Sequence, residues 1–162
     1  MIASLNPDDS KHLQQAIQLA SEHMHLGHGG PFGAVIVQGT TIVGVGWNQV
    51  TSTPDPTAHA EMVAIRAASL RTASFQLRGC VLYSSCEPCP MCLCAAYWAR
   101  IDRIVYAGSR EDAAAAGFDD ADFYAELALP PAARQVPSQQ YLREAAVAVF
   151  DQWKAMSNKV PY

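Results

Sequence analysis

The sequence has few charged residues, no basic run and no long apolar run. Charged residues make up 16% of the 162, the net charge at pH 7 is −4, and no Lys/Arg cluster of the kind that follows a phosphate backbone is present. Nucleic acid is therefore not an expected partner, although Arg66, Arg71 and Arg78 could share a local basic face. No apolar run approaches the about 18 residues that span a bilayer, so a membrane is not expected either.

A secretory signal and a disulfide framework are also missing. The segment from Met1 to Asp9 has no basic region followed by an apolar stretch, so we expect a reducing, cytoplasmic location. Four of the five cysteines lie between positions 86 and 94, whereas the disulfides of a small secreted protein are spread along its chain. The cluster therefore favours metal binding.

One α/β domain over residues 1–162 is the expected organisation. Half of the residues are hydrophobic, and no internal repeat or interdomain linker interrupts the chain. Segments with helical spacing alternate with short buried runs, an order typical of helices that flank a mixed sheet. The predicted elements are a capped helix beginning at Asn6-Pro7, strands 33–38 and 41–47, helix 59–70, strand 80–84, helix 89–99 and strand 101–107.

The rest of the chain is predicted to be mainly helical. Residues 113–118 are small and are expected to be flexible, and helices are expected over 123–129 and 143–156. The last helix is amphipathic, with Phe150 and Trp153 on its apolar face. The earlier helix 59–70 is expected to bury Met62, Val63, Ile65 and Ala67.

Two short motifs carry the residues of a metal site, His59-Ala60-Glu61 and Pro88-Cys89-Pro90-Met91-Cys92. Cys89 and Cys92 are three apart at a predicted helix start, so both sulfurs can face one ion, and His59 can supply a third ligand. Three protein ligands leave one position of a zinc ion open, as catalysis requires. Cys86 could instead close a four-ligand structural site or pair with Cys89 as a redox motif.

Glu61 is the candidate proton carrier of this site. It follows His59 by two residues and could take a proton from a zinc-activated water. The alternative is a carboxylate that only favours the positive end of its helix. The combination H-x-E with P-C-x-x-C is the signature of zinc-dependent nucleobase deaminases, in which the glutamate is not a metal ligand.

The chain resembles the cytidine deaminase superfamily, and within it the bacterial guanine deaminases of that fold. The resemblance lies in residues 29–37, 55–61, 85–93, 97–100 and 115–120. It implies a three-layer α/β/α sandwich around a mixed five-stranded sheet. It also implies that one Zn²⁺ is held by His59, Cys89 and Cys92.

The resemblance also implies a reaction. Zinc-bound hydroxide attacks C2 of guanine, Glu61 shuttles protons, and the products are xanthine and ammonia, as in purine catabolism or salvage. Asp120 matches the residue that assists the leaving amine, and Asp119 is its neighbour; either aspartate could instead cap a helix.

Further contacts follow from the same resemblance. Phe32 would stack on the purine and Asn48 would bond to it, while Ala60, Trp98 and Tyr162 would line or close the pocket. Phe32 and Trp98 could also be core aromatics, and Asn48 a turn residue. A homodimer is implied, in which a segment of about 138–162 is exchanged with the partner subunit.

Three rival functions remain open at this point. A tRNA adenosine deaminase shares the metal and the glutamate but must hold an RNA loop. A guanosine or aminated-triazine deaminase differs only in the residues that line the pocket. A zinc module without activity is the third, with Cys86 as the fourth ligand.

Overall fold

A computed structural model describes residues 7–118 and 121–162 of the chain. The chain divides into two compact units, Met1–Ala121 and Asp122–Tyr162. The first unit contains α1 (Pro7–His25), β1 (Gly33–Gln38), β2 (Thr41–Trp47), α2 (Ala60–Thr72), β3 (Cys80–Cys86), α3 (Pro90–Trp98), β4 (Arg103–Gly108) and α4 (Arg110–Ala115).

The sheet of the first unit is mixed and has the strand order β2-β1-β3-β4. β1 is antiparallel to both β2 and β3, and β3 is parallel to β4. Side chains alternate across β1: Ala34 and Ile36 pack in the core shared with α2 and α3. Val35 and Val37 pack in the second core, with Ala16 of α1. Helices on both faces make the predicted three-layer α/β/α sandwich.

The predicted number of five strands is wrong for the described residues, which form a four-stranded sheet. The residue patterns indicate only four strands, and the fifth was implied by the resemblance alone. After β4 the chain has no further β-branched run: Ser109 begins α4 instead. The Ser109 and Asp112 side chains bond reciprocally to each other's backbone N–H groups, which is a capping box. Helix α4 overlaps the segment 113–118 that was expected to be flexible.

The prediction for the buried face of α2 is also wrong. Its fully buried apolar residues are Ala60, Ala64 and Ala68, whereas Met62, Val63, Ile65 and Ala67 are only partly buried. The cause is a close approach between the helix and β2, where Gly44 and Gly46 face its backbone. Only small side chains fit along that line of contact, so the larger apolar residues lie at its margins.

The predicted helix boundaries are otherwise close to the observed ones. Helix α1 ends near the expected stop before Gly27, whereas the predicted cap at Asn6 lies outside the described residues. No helix in the described part of the chain combines the length and apolarity needed to cross a membrane.

The second unit consists of helices with little buried surface. It contains α5 (Ala121–Ala128) from the second residue of that helix onward, a 3₁₀ turn (Pro131–Ala133) and α6 (Arg143–Ala155). The guanidinium of Arg134 donates to the backbone oxygens of Leu127 and Leu129, which ties the turn to α5. No residue of α6 is buried, and 62% of Phe150 and 40% of Trp153 are exposed. The apolar face of α6 is therefore not covered by the other helices of the second unit.

Candidate active site

Two helix starts bring together the three predicted metal ligands. His59 is the N-cap residue of α2 and Cys89 the N-cap residue of α3, and neither side chain caps its own helix. Cys92 lies in the first turn of α3, with Pro90 at the helix start, where a missing N–H costs nothing. The Nδ1 atom of His59 is 3.6 Å from the sulfur of Cys89 and 3.6 Å from that of Cys92.

These distances suit a tetrahedral zinc ion. With bonds of about 2.0–2.1 Å to nitrogen and about 2.3 Å to sulfur, a nitrogen and a sulfur in tetrahedral positions lie about 3.5–3.6 Å apart. The three ligand atoms lie within 4.8 Å of one another, and they form the one group of this kind among the described residues. Two thiols and an imidazole are ligands that zinc prefers, and three of them leave the fourth position open.

The two thiols differ in their tendency to ionise. The hydrogen bond from Cys92, aided by one from His59, lowers the pKa of Cys89 to about 4. The same bond to Cys89 raises the pKa of Cys92, and burial adds to that effect. A divalent cation beside both sulfurs supplies the positive charge that stabilises two thiolates together. The electrostatics of the pair therefore fit a metal.

Glu61 lies one residue inside α2, and only 6% of it is exposed. Burial raises the pKa of its carboxyl group, which makes the protonated form more accessible than for a surface glutamate. The hydroxyl of Ser84 donates to Glu61 Oε1 over 3.1 Å and fixes the orientation of the carboxylate. A carboxyl group of this kind can both accept and return a proton.

Sequence reasoning did not single out Ser84. A usable signal exists, since Cys80, Leu82 and Ser84 alternate along one face of β3 and the first two pack in the core beneath α2. A buried serine on that otherwise apolar face requires a polar partner. The partner is Glu61.

Cys86 is not a member of the ligand group. It ends β3, and its thiol donates to the backbone oxygen of Ser109 over 3.4 Å. All five cysteines are free thiols. The arrangement contradicts a closed site with Cys86 as the fourth ligand.

Asn48 directly follows β2 and is buried, with 7% exposed. Its Oδ1 atom accepts hydrogen bonds from the backbone N–H groups of Gly30 (3.1 Å) and Val50 (3.2 Å). Both bonds use the oxygen, so the amide nitrogen is the atom that remains to meet a ligand. Asn48 can thus serve as both the turn residue and the hydrogen-bonding amide of the two earlier interpretations.

Phe32 packs against Phe118, an aromatic residue that sequence reasoning did not single out. The rings meet edge to face, with centroids 4.7 Å apart and an interplanar angle of 78°. Phe118 therefore supports the ring of Phe32. Ala60 is fully buried between His59 and Glu61.

The other predicted site residues are exposed, belong to the second unit or lie outside the described residues. Trp98 is the last residue of α3, at the opposite end of that helix from Cys89, and it is 61% exposed. Tyr162 belongs to the second unit and is 73% exposed. Asp119 and Asp120 lie outside the described residues. The roles of these residues stay predictions.

The structure combines an α/β/α sandwich with one histidine and two cysteines at two helix starts. A buried glutamate follows the histidine by two residues. Together these features define the class of zinc-dependent deaminases. The sequence profile "Cytidine and deoxycytidylate deaminase zinc-binding region" matches residues 6–108. The chain belongs to that family, and its cofactor is zinc.

Relatives within the family cover different shares of the chain. A guanine deaminase from Bacillus subtilis is 47% identical over 150 residues, which are 93% of this chain and 96% of the relative. The crystal structure of a Bacillus subtilis guanine deaminase matches with a TM-score of 0.92 at 46% identity, over 98% of this chain and 99% of the other. A tRNA-specific adenosine deaminase from Haemophilus influenzae is 38% identical over 69% of this chain and 68% of its own length.

Proposed function

We propose that this protein hydrolyses guanine to xanthine and ammonia. The observation that carries the proposal is the ligand group His59, Cys89 and Cys92 with the buried carboxyl group of Glu61 on the same helix start. Similarity to a guanine deaminase over almost the whole of both chains supports guanine as the substrate. Similarity to a tRNA deaminase covers a smaller part of both chains.

The metal is held by His59, Cys89 and Cys92 in this proposal. When bound there, zinc supplies Lewis-acid chemistry that lowers the pKa of a water molecule toward neutrality. The two cysteines stand at the start of α3, where the positive end of the helix dipole favours thiolates. His59 is anchored by the start of α2, so a rigid pair of helices sets the ligand geometry.

Glu61 carries protons between water and substrate. It takes a proton from the attacking water and gives it to a ring nitrogen of guanine while the water oxygen bonds to C2. The proton that remains on that oxygen then passes to the 2-amino group, the C2–N bond breaks, and the amine leaves as ammonia. Its raised pKa lets it hold the proton between these two events. The bond from Ser84 keeps the carboxylate in one rotamer during the transfer.

Substrate recognition falls to an aromatic face and a fixed amide. The side-chain nitrogen of Asn48 donates to an acceptor on the purine, because its oxygen is already engaged by Gly30 and Val50. Phe32 offers a π face that Phe118 holds in place. Ala60, Trp98 and Tyr162 complete the pocket, and Asp120 assists the leaving amine.

We propose further that the protein is a homodimer in a reducing cytoplasm, with a segment of about 138–162 exchanged between subunits. The uncovered apolar face of α6 supports a partner for that helix. The five free thiols suit a reducing compartment. Light scattering on the full chain tests the dimer, and a monomer at micromolar concentration would contradict it.

Ammonia release from a panel of substrates tests the proposed reaction. We expect guanine to be deaminated, and guanosine, ammeline, adenine, cytosine, cytidine and a tRNA anticodon loop to react far more slowly. Turnover of the RNA with inert guanine would instead indicate a tRNA adenosine deaminase. Preferred turnover of guanosine or ammeline would indicate the related small-molecule activities.

The Glu61→Gln variant tests the mechanism, because glutamine keeps the acceptor for Ser84 but cannot carry a proton. We expect a rate loss of at least about 10²-fold, the usual worth of general acid–base catalysis, with full zinc content. Glu111→Gln, which changes an exposed carboxylate of α4, is the matched control and should keep the full rate. Unchanged turnover by Glu61→Gln contradicts the mechanism.

A further inference from the structure

Two histidines near the end of β2 are in contact with each other. His23 lies in the last turn of α1 and His28 in the loop that follows, and their Nδ1 atoms are 2.8 Å apart. The ring of His23 is also stacked on the indole of Trp47, with centroids 3.6 Å apart and an interplanar angle of 1°. The pair therefore joins α1, the loop after it and the end of β2.

The same loop and strand end hold two residues of the proposed purine site. Trp47 directly precedes Asn48, whose Oδ1 accepts from the N–H of Gly30 in the loop. The backbone N–H of Asn48 donates to the backbone oxygen of Phe32 over 3.0 Å. A side chain at Gly29 would overlap Asn48, so the loop lies directly against it.

We propose that His23 and His28 form a histidine clamp that positions Asn48 and Phe32 for the purine. The proposal rests on the proposed function. Both histidines act through other groups, so they are positioning residues rather than catalytic ones. The clamp fixes the loop through the side chain of His28. The hydroxyl of Ser52 fixes it through the backbone, because it donates to the backbone oxygen of His28 over 2.7 Å.

The clamp holds only while one of the two facing nitrogens lacks a proton. One Nδ1 donates and the other accepts, so the pair can carry no charge or one charge but not two. Burial and the neighbouring His28 lower the pKa of His23, and Glu22 on α1 opposes this effect. The other facing elements bring no charged side chain: residues 26–32 contain none besides His28, and residues 41–54 contain none. Acid therefore opens the clamp.

Three variants separate the clamp from simple packing. His28→Asn places an amide near the position of Nδ1 and does not titrate, whereas His28→Leu fills space without a hydrogen bond. His25→Leu is the matched control, because His25 is exposed and its ring bonds to the backbone oxygen of Ser21 on the same helix. All three are compared with the parent at about pH 8 and about pH 5, on either side of the usual histidine pKa.

We expect the effect in KM and not in kcat. His28→Leu raises KM about fivefold at the higher pH, the equilibrium worth of one hydrogen bond, and loses the acid-side rise in KM that the parent shows. His28→Asn keeps the parent KM at the higher pH and also loses the acid-side rise. His25→Leu behaves as the parent at both values. The proposal is overturned by a parent-like KM in His28→Leu, or by an acid-side rise that persists in both His28 variants.

Backbone hydrogen exchange gives a readout that does not depend on guanine. The N–H groups of Gly30 and Val50 both donate to Asn48 Oδ1, so they report its position. We expect their exchange to accelerate about fivefold in His28→Leu and to stay near the parent rate in His28→Asn. If the parent does not deaminate guanine, the proposed function fails, and this exchange still decides the clamp: equal rates in His28→Leu and the parent overturn it.

Discussion

Gly46 allows α2 to lie against β2 at the point where the helix carries the site residues. A Cβ atom placed on Gly46 would meet the backbone oxygen of Ala60 and lie 2.6 Å from the backbone nitrogen of Ala64. Ala60 stands between His59 and Glu61 at the helix start. Replacing Gly46 by alanine therefore pushes on the segment that holds one residue of the ligand group and the proposed proton carrier.

The size of the displacement follows from the contact distances. Ordinary van der Waals contact begins near 3.4 Å, so the backbone at Ala64 must retreat by about 0.8 Å to accept the methyl group. The cysteine sulfurs lie on α3, which is a separate element from α2. A misplacement of about 1 Å can cost about 10²-fold in rate. Overpacking costs about 1–3 kcal/mol of stability in addition.

Gly44→Ala is the matched control for Gly46→Ala. Its added methyl would meet the same helix one turn later, at the backbone oxygen of Ala64 and 2.9 Å from the Cβ atom of Ala68. We expect both variants to lose similar stability in urea unfolding, but only Gly46→Ala to lose bound zinc and most of its kcat.

Ammonia release, zinc content and unfolding free energy are measured on the same preparations of these two variants. Equal loss of kcat in the two would show that general destabilisation is the cause. Full activity in Gly46→Ala would show that the spacing between helix and strand does not position the site.

Three further predictions concern other parts of the molecule. Chelation should abolish activity and lower the melting temperature, and added zinc should restore both; retained activity without metal would contradict the ligand group. Asn48→Asp keeps the acceptor for Gly30 and Val50 but loses the donor, so KM should rise about tenfold or more with parent-like stability; an unchanged KM would refute substrate donation. Burial and the hydrogen bond to Asp9 raise the pKa of Tyr83 to about 12. The protonated Tyr83 therefore makes its whole contribution to the free energy of unfolding below about pH 10, and this free energy falls by up to about 3 kcal/mol as the pH rises to about 12. Tyr83→Phe should lack that fall in alkaline unfolding experiments, and an identical fall would refute the linkage.

Local patterns were sufficient to predict most of the secondary structure and the metal ligands. Strands β1 and β2 have the predicted bounds because a short apolar hairpin is specified by neighbouring residues and its turn. The ligand spacing in Cys89-Pro90-Met91-Cys92 is set within one helical turn, so the sequence itself determines that both sulfurs can face one ion. His59 and Glu61 were predictable from the signature H-x-E with P-C-x-x-C, although the contact of His59 with the cysteines joins positions 30 and 33 apart.

Contacts between distant segments were not predictable in the same way. The spacing of apolar residues indicated Met62, Val63 and Ile65 as the buried face of α2, yet the approach of Gly44 and Gly46 buries alanines instead. The bond between Ser84 and Glu61 joins residues that are 23 positions apart on different elements.

The sequence by itself determined the chemical class of the protein, because the ligands and the glutamate lie in two short motifs whose geometry is local. The tertiary structure alone decided how the proposed substrate side of the site is held. Asn48 turns its oxygen inward because the loop after α1 packs against the end of β2, and His23 meets both His28 and Trp47 there. Such contacts depend on how layers pack, which no local pattern records.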